Sequence, residues 1–318
     1  MDRWEMVSRT SMKRYVHVFA LVWISNCQLV SVDCLDYDLT CRPLRNILFQ
    51  RATCSAIGAC ASGYIRVPCN PAVGTITDFC VAKYEMKNNS GAKSEAAGLP
   101  WVSITQTNAI TECSNLGANF HLITNAEWMT IARNIETTAA NWSTGTVNNG
   151  AISSGHNDNT PANALAASTD DTQGCTGTGQ VCSNVTWDAQ RRTSTLSNGE
   201  TIWDFAGNVW EWNDWQVTQA NKAYSSADGV PLAALREWTA IDTFPNALMI
   251  PSTWQPTNSA LSSANGIGQY YAGNTDPGAS LRGGSWTNGA SAGAFRLDLN
   301  NGPASSAATI GFRCVQSN

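Results

Sequence analysis

The chain of 318 residues is poor in charge: only 14% of its residues are Asp, Glu, Lys or Arg. No basic cluster occurs after the first 20 residues and the formal net charge is −5, which excludes nucleic-acid binding, because neutralising phosphates needs grouped Lys and Arg. Only three His are present (His17, His121, His156), and none of the eleven Cys stands in a CxxC pair, so a zinc site is excluded as well. A transmembrane run of about 20 apolar residues is missing too. Periodic helical pattern is scarce. What fills the chain instead is 43% apolar residues, 13 Trp, and much Gly, Asn, Ser and Thr, the composition of a loop-rich exported fold long enough for one large core or two smaller ones.

The cysteines stand at 27, 34, 41, 54, 60, 69, 80, 113, 175, 182 and 314, and without metal-ligand spacing they read as disulfides of an oxidising compartment. The start of the chain agrees. Met12-Lys-Arg14 precedes an eleven-residue apolar run, Tyr15 to Ser25, of signal-peptide length. The run ends at Ile24-Ser-Asn-Cys27, which resembles a bacterial lipoprotein cleavage site, with Asn26 departing from the usual Gly or Ala. Lipidation of Cys27 would leave ten cysteines, an even number. The chain is then exported to a bacterial cell surface or outer membrane, touching the membrane through a lipid anchor only. A plain secretory signal with Cys27 as a spare thiol is the alternative.

Residues 1–26 are thus expected to be a leader, 27–62 a Cys-rich spacer, and 63–318 one domain. Ile65-Arg-Val67 and Asp78 to Tyr84 alternate as strands around a Pro/Gly turn, and Cys69 with Cys80 could staple that hairpin. A helix is expected from about Gln106 to Leu116, with Ala109, Ile110, Cys113 and Leu116 on one face and Gly117 as its stop. Thr124-Asn-Ala-Glu127 is a capping box that opens a second helix, to about Ile135, with Trp128, Met129, Ala132 and Ile135 inward. Residues of about 137–200 lack periodicity and read as a long surface insertion, with Cys175 and Cys182 closing a loop. Further strands are expected at Thr201–Phe205, Val209–Trp212 and Ile310–Val315.

Six pieces occur in a telling order: Val81-Ala-Lys-Tyr-Glu85, Trp101-Val-Ser103, Ile123-Thr-Asn-Ala-Glu-Trp128, Phe205-Ala-Gly-Asn-Val-Trp-Glu-Trp212, Leu281-Arg-Gly-Gly-Ser-Trp286 and Gly311-Phe-Arg-Cys314. Together they resemble the formylglycine-generating enzyme (sulfatase-modifying factor) family over about Gly63 to Val315. The resemblance implies an α+β, loop-rich, disulfide-stapled variant of the C-type lectin-like fold. It also implies a disulfide from Cys113 to Cys314, closing a loop of about 200 residues worth on the order of 5 kcal/mol in the chain-entropy model. In the family, oxygens at the positions of Asp204, Gly207, Val209 and Glu211 can hold Ca2+, a fitting donor set for a hard cation. The other reading of these residues is a structural turn with Trp210 and Trp212 in the core.

The family's oxidase chemistry needs a cysteine pair between the last two motifs, to bind a soft copper ion and engage a substrate thiol. Here Thr287 to Ile310 contains no Cys and no His, and Asp298 is its only carboxylate, so no catalytic residue and no catalytic cofactor are expected. His121, beside Phe120 and before a helix, reads as structural. The interval instead resembles the variable region of diversity-generating retroelement proteins, which show hypervariable side chains on this branch of the fold. Trp286, Gly289, Ala290, Ala292, Gly293, Phe295, Leu297, Leu299, Pro303 and Ile310 would be its fixed frame. Thr287, Asn288, Ser291, Arg296, Asp298, Asn300, Asn301, Ser305, Ala307 and Thr309 would be exchangeable and would bind a protein or glycan ligand. Around Leu297 and Leu299 a period-2 pattern turns Arg296, Asp298 and Asn300 the other way, toward solvent. An ordinary polar loop of a non-catalytic family member, with no retroelement, is the competing reading of the interval. A family enzyme with altered oxidase-type chemistry and a structural envelope lipoprotein without a specific ligand are the alternatives for the function.

Overall fold

The computed structural model describes residues 54–183, 186–245 and 251–317. The expected leader, Cys27, Cys34 and Cys41 lie outside the described residues. Among the described residues, two α-helices and fourteen short strands are set among long loops. The strands are β1 (Tyr64–Val67), β2 (Phe79–Ala82), β3 (Lys87–Asn88), β4 (Ala92–Lys93), β5 (Phe120–Leu122), β6 (Thr193–Thr195), β7 (Thr201–Trp203), β8 (Trp210–Val217), β9 (Leu235–Arg236), β10 (Tyr270–Tyr271), β11 (Gly278–Arg282), β12 (Leu297–Asn301), β13 (Ile310–Phe312) and β14 (Cys314–Gln316). A four-stranded sheet runs β1-β2-β14-β5, a six-stranded sheet runs β13-β8-β11-β12-β10-β9, and β3-β4 and β6-β7 form small hairpins. Among the described residues no helix is long and apolar enough to cross a membrane.

Local chemistry sets both helices. Helix α1 (Gln106–Ser114) starts where Thr105 accepts from Asn108 N, and it buries Ala109 and Cys113. Helix α2 (Asn125–Thr137) opens with the capping box: Thr124 accepts from Glu127 N and Glu127 accepts from Thr124 N. Its inward face carries Trp128, Met129, Ile131, Ala132 and Ile135. Trp128 stacks on Phe205 at 3.9 Å and donates to Ala294 O at 2.8 Å, so α2 grips both the Gly-Asn-Val-Trp-Glu-Trp turn and the segment before β12.

The strand expectations toward the C-terminus need adjustment. The strand expected to end at Trp212 continues to Val217, because it pairs with β11 along its length, through a register shift between Ala279 and Leu281. The last strand is two strands in two sheets, β13 beside β8 and β14 beside β2 and β5, parted at Arg313. Arg313 is fully buried and reaches Glu211, so the chain changes sheets around an inward guanidinium.

The hairpin staple is corrected. Cys69 pairs with Cys54 and Cys80 with Cys60, rather than with each other. In the hairpin Cys80 stands opposite Arg66, while Cys69 lies beyond the paired stretch. Ser55 bridges in parallel to Thr77, so the incoming segment lies along the hairpin and reaches both cysteines. Cys113 is bridged to Cys314 and Cys175 to Cys182.

The segment of 137–200, expected at the surface, buries Ile152 to Asn157, Cys175 and Arg191 to Thr193. It is irregular in backbone and yet supplies much of the polar interior.

Candidate binding face and the charge cluster beneath it

The segment from Trp286 to Thr309 has an apolar spine. Ala292, Phe295, Leu297 and Leu299 are fully buried. Its backbone is tied on every side. Trp286 N donates to Asn208 O at 3.0 Å, Gly289 N to Asn157 O at 2.8 Å, and Phe295 N to Ile267 O at 2.9 Å. Farther on, Ser103 N donates to Ala307 O and Gln106 N to Pro303 O, at 3.0 and 3.1 Å. A cation fixes the strand's other side: the Lys222 ammonium, fully buried, donates to Gly273 O, Thr275 O and Leu299 O at 3.3, 2.7 and 3.0 Å. Burial pulls Lys222 down to about 8, with Asp276 and Asp298 resisting.

The ten expected display residues divide into three groups by exposure. Thr287, Asn300 and Ala307 are exposed; Asn288, Asp298, Asn301, Ser305 and Thr309 are half-buried; Ser291 and Arg296 are buried. They also lie against different neighbours. Thr287 and Asn288 flank the Asn157–Asn159 loop, whose Asn159 N donates to Trp286 O at 2.6 Å. Asp298 and Asn300 lie by the 273–276 loop, where Asn300 Oδ1 accepts from Asn274 N at 3.0 Å. Ala307 and Thr309 adjoin Ser103 and Trp210 through their carbonyls. A cleft of about 440 Å³ beside α2, lined in part by Asn70, Arg133 and Thr257, includes none of the ten.

Two expectations about this face are corrected. Arg296 does not point to solvent. Its guanidinium lies 5.1 Å over the Trp210 ring, donates to Gln269 O at 3.2 Å, and stands 3.6 Å from Asp298. Burial lowers it to about 10 against the pull of Asp298, while burial raises Asp298 against the pull of Arg296. The cause is tertiary. β12 is an inner strand, since β10 pairs with it in parallel, Tyr270 facing Leu297 and Tyr271 facing Asp298. The chain before β10 covers Arg296 so closely that a Cβ on Gly268 would lie 2.9 Å from Arg296 Cβ. Asn288 and Ser291 are likewise part of the scaffold: Asn288 Oδ1 accepts from Ser285 N and Oγ, both at 2.8 Å, and Ser291 Oγ donates to Asn288 O at 2.7 Å.

Below the face lies a cluster of six buried charges: Glu85, Asp204 and Glu211 against Lys87, Arg192 and Arg313. Both Asp204 oxygens accept from Arg192, at 2.7 Å each. Both Glu211 oxygens accept from Arg313 at 2.7 to 3.2 Å, and Arg313 also donates to Ala82 O and Trp203 O. Glu85 accepts from Asn208 Nδ2 at 2.5 Å and Val209 N at 3.1 Å. Burial pushes the Glu85 carboxyl well above its ordinary range and the Asp204 charge adds to it; Glu211 is raised by burial and held back by Arg313. Burial lowers Lys87, and Glu85 and Asp204 restrain the fall. Gly207 is required at its place: its φ is +74°, and a Cβ there would lie 2.5 Å from His156 O.

The calcium set Asp204, Gly207, Val209 and Glu211 does not fit a calcium ion. Both oxygens of each carboxylate already accept from a guanidinium, Asp204 from Arg192 and Glu211 from Arg313. With Asp204 and Glu211 already neutralised by Arg192 and Arg313, a divalent ion would add uncompensated positive charge to a buried site, which costs several kcal/mol. Among the described residues one trio of His, Cys, Asp or Glu donors lies within 4.8 Å, Cys54, Cys69 and Asp78, and its sulfurs form a disulfide.

Several residues that hold the site together carry little signal in the sequence. Lys222 has no local pattern that marks it. Arg192 has a faint one: Arg191 and Arg192 are the only Lys or Arg between 137 and 200. A lone basic pair in a long neutral stretch has few partners nearby, so its partners come from elsewhere in the fold.

Fold and staples together define an α+β, loop-rich domain of the C-type lectin-like type. Residues 60–318 match the family described as sulfatase-modifying factor enzyme 1-like domain, and the chain belongs to that family. Solved structures of similar fold include the Major Tropism Determinant I1 variant, 16% identical over 75% of this chain and 50% of that one, with a TM-score of 0.35. Treponema denticola variable protein 1 is 16% identical over 76% of this chain and 84% of that one, with a TM-score of 0.33. PvdO from Pseudomonas aeruginosa is 12% identical over 80% of this chain and 92% of that one, with a TM-score of 0.34. The chain thus spans about half the length of the tropism determinant. No curated protein matches it by sequence.

Proposed function

We propose that this protein is an exported, non-enzymatic binding protein. It offers a protein or glycan ligand the outer side chains of residues 287–309 on a rigid lectin-like scaffold. The observation that supports this most is the split within that segment. Phe295, Leu297 and Leu299 are fully buried and the backbone is tied to four separate loops, yet Thr287, Asn300 and Ala307 remain exposed. Such positions can change with little effect on folding. The same segment holds no Cys or His, so it offers no thiolate or imidazole for the family's oxidase chemistry. Buried Ser291 and Arg296, and Asn288 in its turn, belong to the scaffold in this reading; Thr287, Asn300, Asn301, Ser305, Ala307 and Thr309 carry recognition, with Asp298 at the edge.

Diversification by a retroelement and anchoring through a lipid on Cys27 complete the proposal. The four disulfides among the described residues accord with an oxidising compartment. Sequencing the DNA around the coding segment tests the first part. A near-copy of the 287–309 codons differing mainly at adenines, beside a reverse transcriptase gene, is expected; flanks without either would sink it. Mass spectrometry of the membrane fraction tests the second, where an N-terminus other than lipid-modified Cys27 would refute the anchor. Recognition itself is tested by screening the protein on glycan and protein arrays, then repeating with Thr287, Asn300 and Ala307 replaced together. Binding should be lost or redirected with the melting temperature nearly unchanged. Unaltered binding would place the ligand elsewhere.

A further inference from the structure

Arg192 behaves as a metal ion would. A guanidinium has five N–H groups, and all five of its bonds are made to oxygen. Nε and Nη2 reach the Asp204 carboxylate at 2.7 Å each; Nη1 reaches Ala166 O and Thr176 O at 2.8 Å each; Nη2 reaches Leu165 O at 3.1 Å. The side chain is fully buried, with its guanidinium carbon 5.5 Å over the Trp203 ring. One carboxylate and three backbone carbonyls, drawn from three places in an irregular stretch, converge on a single cation. That is the donor chemistry of a hard-cation site. The carbonyls belong to the long segment of 137–200, which has little regular hydrogen bonding of its own to hold it.

From this centre the order passes outward. Leu165, whose carbonyl Arg192 holds, donates its own N–H to Asn208 Oδ1 at 2.8 Å. Asn208 N donates to His156 O at 2.7 Å, and Asn208 O accepts from Trp286 N at 3.0 Å. Next to His156, the Asn157–Asn159 loop closes on Trp286 and Gly289. Two residues, Leu165 and Asn208, thus link Arg192 to the start of the 287–309 segment.

We propose that Arg192 is the resident cation of a loop-organising site, doing there what a calcium ion would otherwise do, so that the domain folds without calcium. The carboxylate of Asp204 with the carbonyls of 165, 166 and 176 is then a latent site for a hard divalent cation, closed by the arginine and opened by its removal. Arg192 is a positioning residue for the loop beside Thr287 and touches no ligand. The inference concerns folding and stands whether or not residues 287–309 bind anything.

Thermal unfolding of the full-length protein tests it. In the wild type, chelation by EDTA and addition of millimolar calcium should both leave the melting temperature unchanged, and calorimetric titration with calcium should show no saturable binding. A fall with EDTA, or saturable binding by the wild type, would overturn the proposal. Arg192→Ala should melt lower than the wild type, and calcium should raise it again where sodium of equal ionic strength does not. An alanine protein as stable as the wild type, or one indifferent to calcium, would contradict the latent site. Should Arg192→Ala not accumulate in folded form, the wild-type titration decides alone.

Discussion

Residues 204–213 and residues 300–309 both carry several polar side chains, but they sit at opposite extremes of burial. Every residue from Asp204 to Asn213 is buried, whereas none from Asn300 to Thr309 is. In the first stretch each carboxylate has a fixed partner: Arg192 for Asp204, Arg313 for Glu211. In the second most contacts are made by the backbone, through Pro303 O, Ala307 O and Thr309 O; Asn300 Oδ1 accepts from Asn274 N, and several other side chains are left at the surface. Polarity in the interior is bound to a unique geometry, because an unpaired buried charge is too costly to leave. Polarity on a backbone-anchored loop is free to change. Polar side chains are therefore locked in place in the first stretch, while the second leaves several of them at the surface.

Substitutions can break this contrast, and the largest effect is expected at Arg313. Arg313→Ala leaves Glu211 buried and unpaired and two carbonyls without their donor, at a cost of about 3–5 kcal/mol. Chemical denaturation with a two-state fit would measure it; a loss under about 1 kcal/mol would mean the cluster is not a folding element. Phe295→Ala comes next. Its ring is fully buried within the 287–309 segment, and truncation should cost about 3–5 kcal/mol, toward the low end if the loop before β10 collapses into the gap. A near-neutral Phe295→Ala would show that the segment has no spine.

Lys222→Met is expected to cost less, about 1–3 kcal/mol, by leaving Gly273 O, Thr275 O and Leu299 O without their donor. Amide exchange should quicken at 273–276 beyond the global effect, and unchanged exchange there would remove Lys222 from the account. The smallest effect is one of pH. Burial alone would lower His121, but its bonds to Glu127 at 2.9 and 3.1 Å, with the charges of Glu127 and Asp214, raise it above its ordinary value. The imidazolium therefore adds stability that is full below the ordinary value and is lost as pH rises through the raised one. A melting curve series from mildly acidic to mildly alkaline pH should show this loss in the wild type and not in His121→Gln. Parallel curves would place the titration elsewhere.

Elements set by neighbours along the chain are legible in the amino-acid sequence alone. The capping box at Thr124 and Glu127 fixes the start of α2, and Ala109 and Cys113 mark the inner face of α1. Part of the apolar frame of residues 287–309 is legible too, since Phe295, Leu297 and Leu299 turn inward, whereas Ala290, expected in the same frame, is exposed. Illegible parts depend on partners far along the chain. A period-2 pattern places Arg296 outside because nothing local announces β10 beside β12. The staples of Cys69 and Cys80 escape a local reading because their partners lie in a segment with no pattern of its own. Asp204 and Glu211 suggest a cation, but nothing near them shows that Arg192, 12 residues before Asp204, and Arg313, 102 residues after Glu211, supply it. Buried charge pairs leave no periodic trace.

On the function proposed above, residues 287–309 join an immovable spine to a replaceable surface. Saturation substitution at Thr287, Asn300 and Ala307, compared by thermal unfolding with the same set at Phe295 and Leu297, measures it most directly. Most replacements at Thr287 and Ala307 are expected to stay within about 0.5 kcal/mol of the parent and those at Asn300 to lose about 1 kcal/mol with its bond to Asn274 N, while polar or small replacements at Phe295 and Leu297 cost several-fold more. Losses at Thr287, Asn300 and Ala307 equal to those at Leu297 would contradict it.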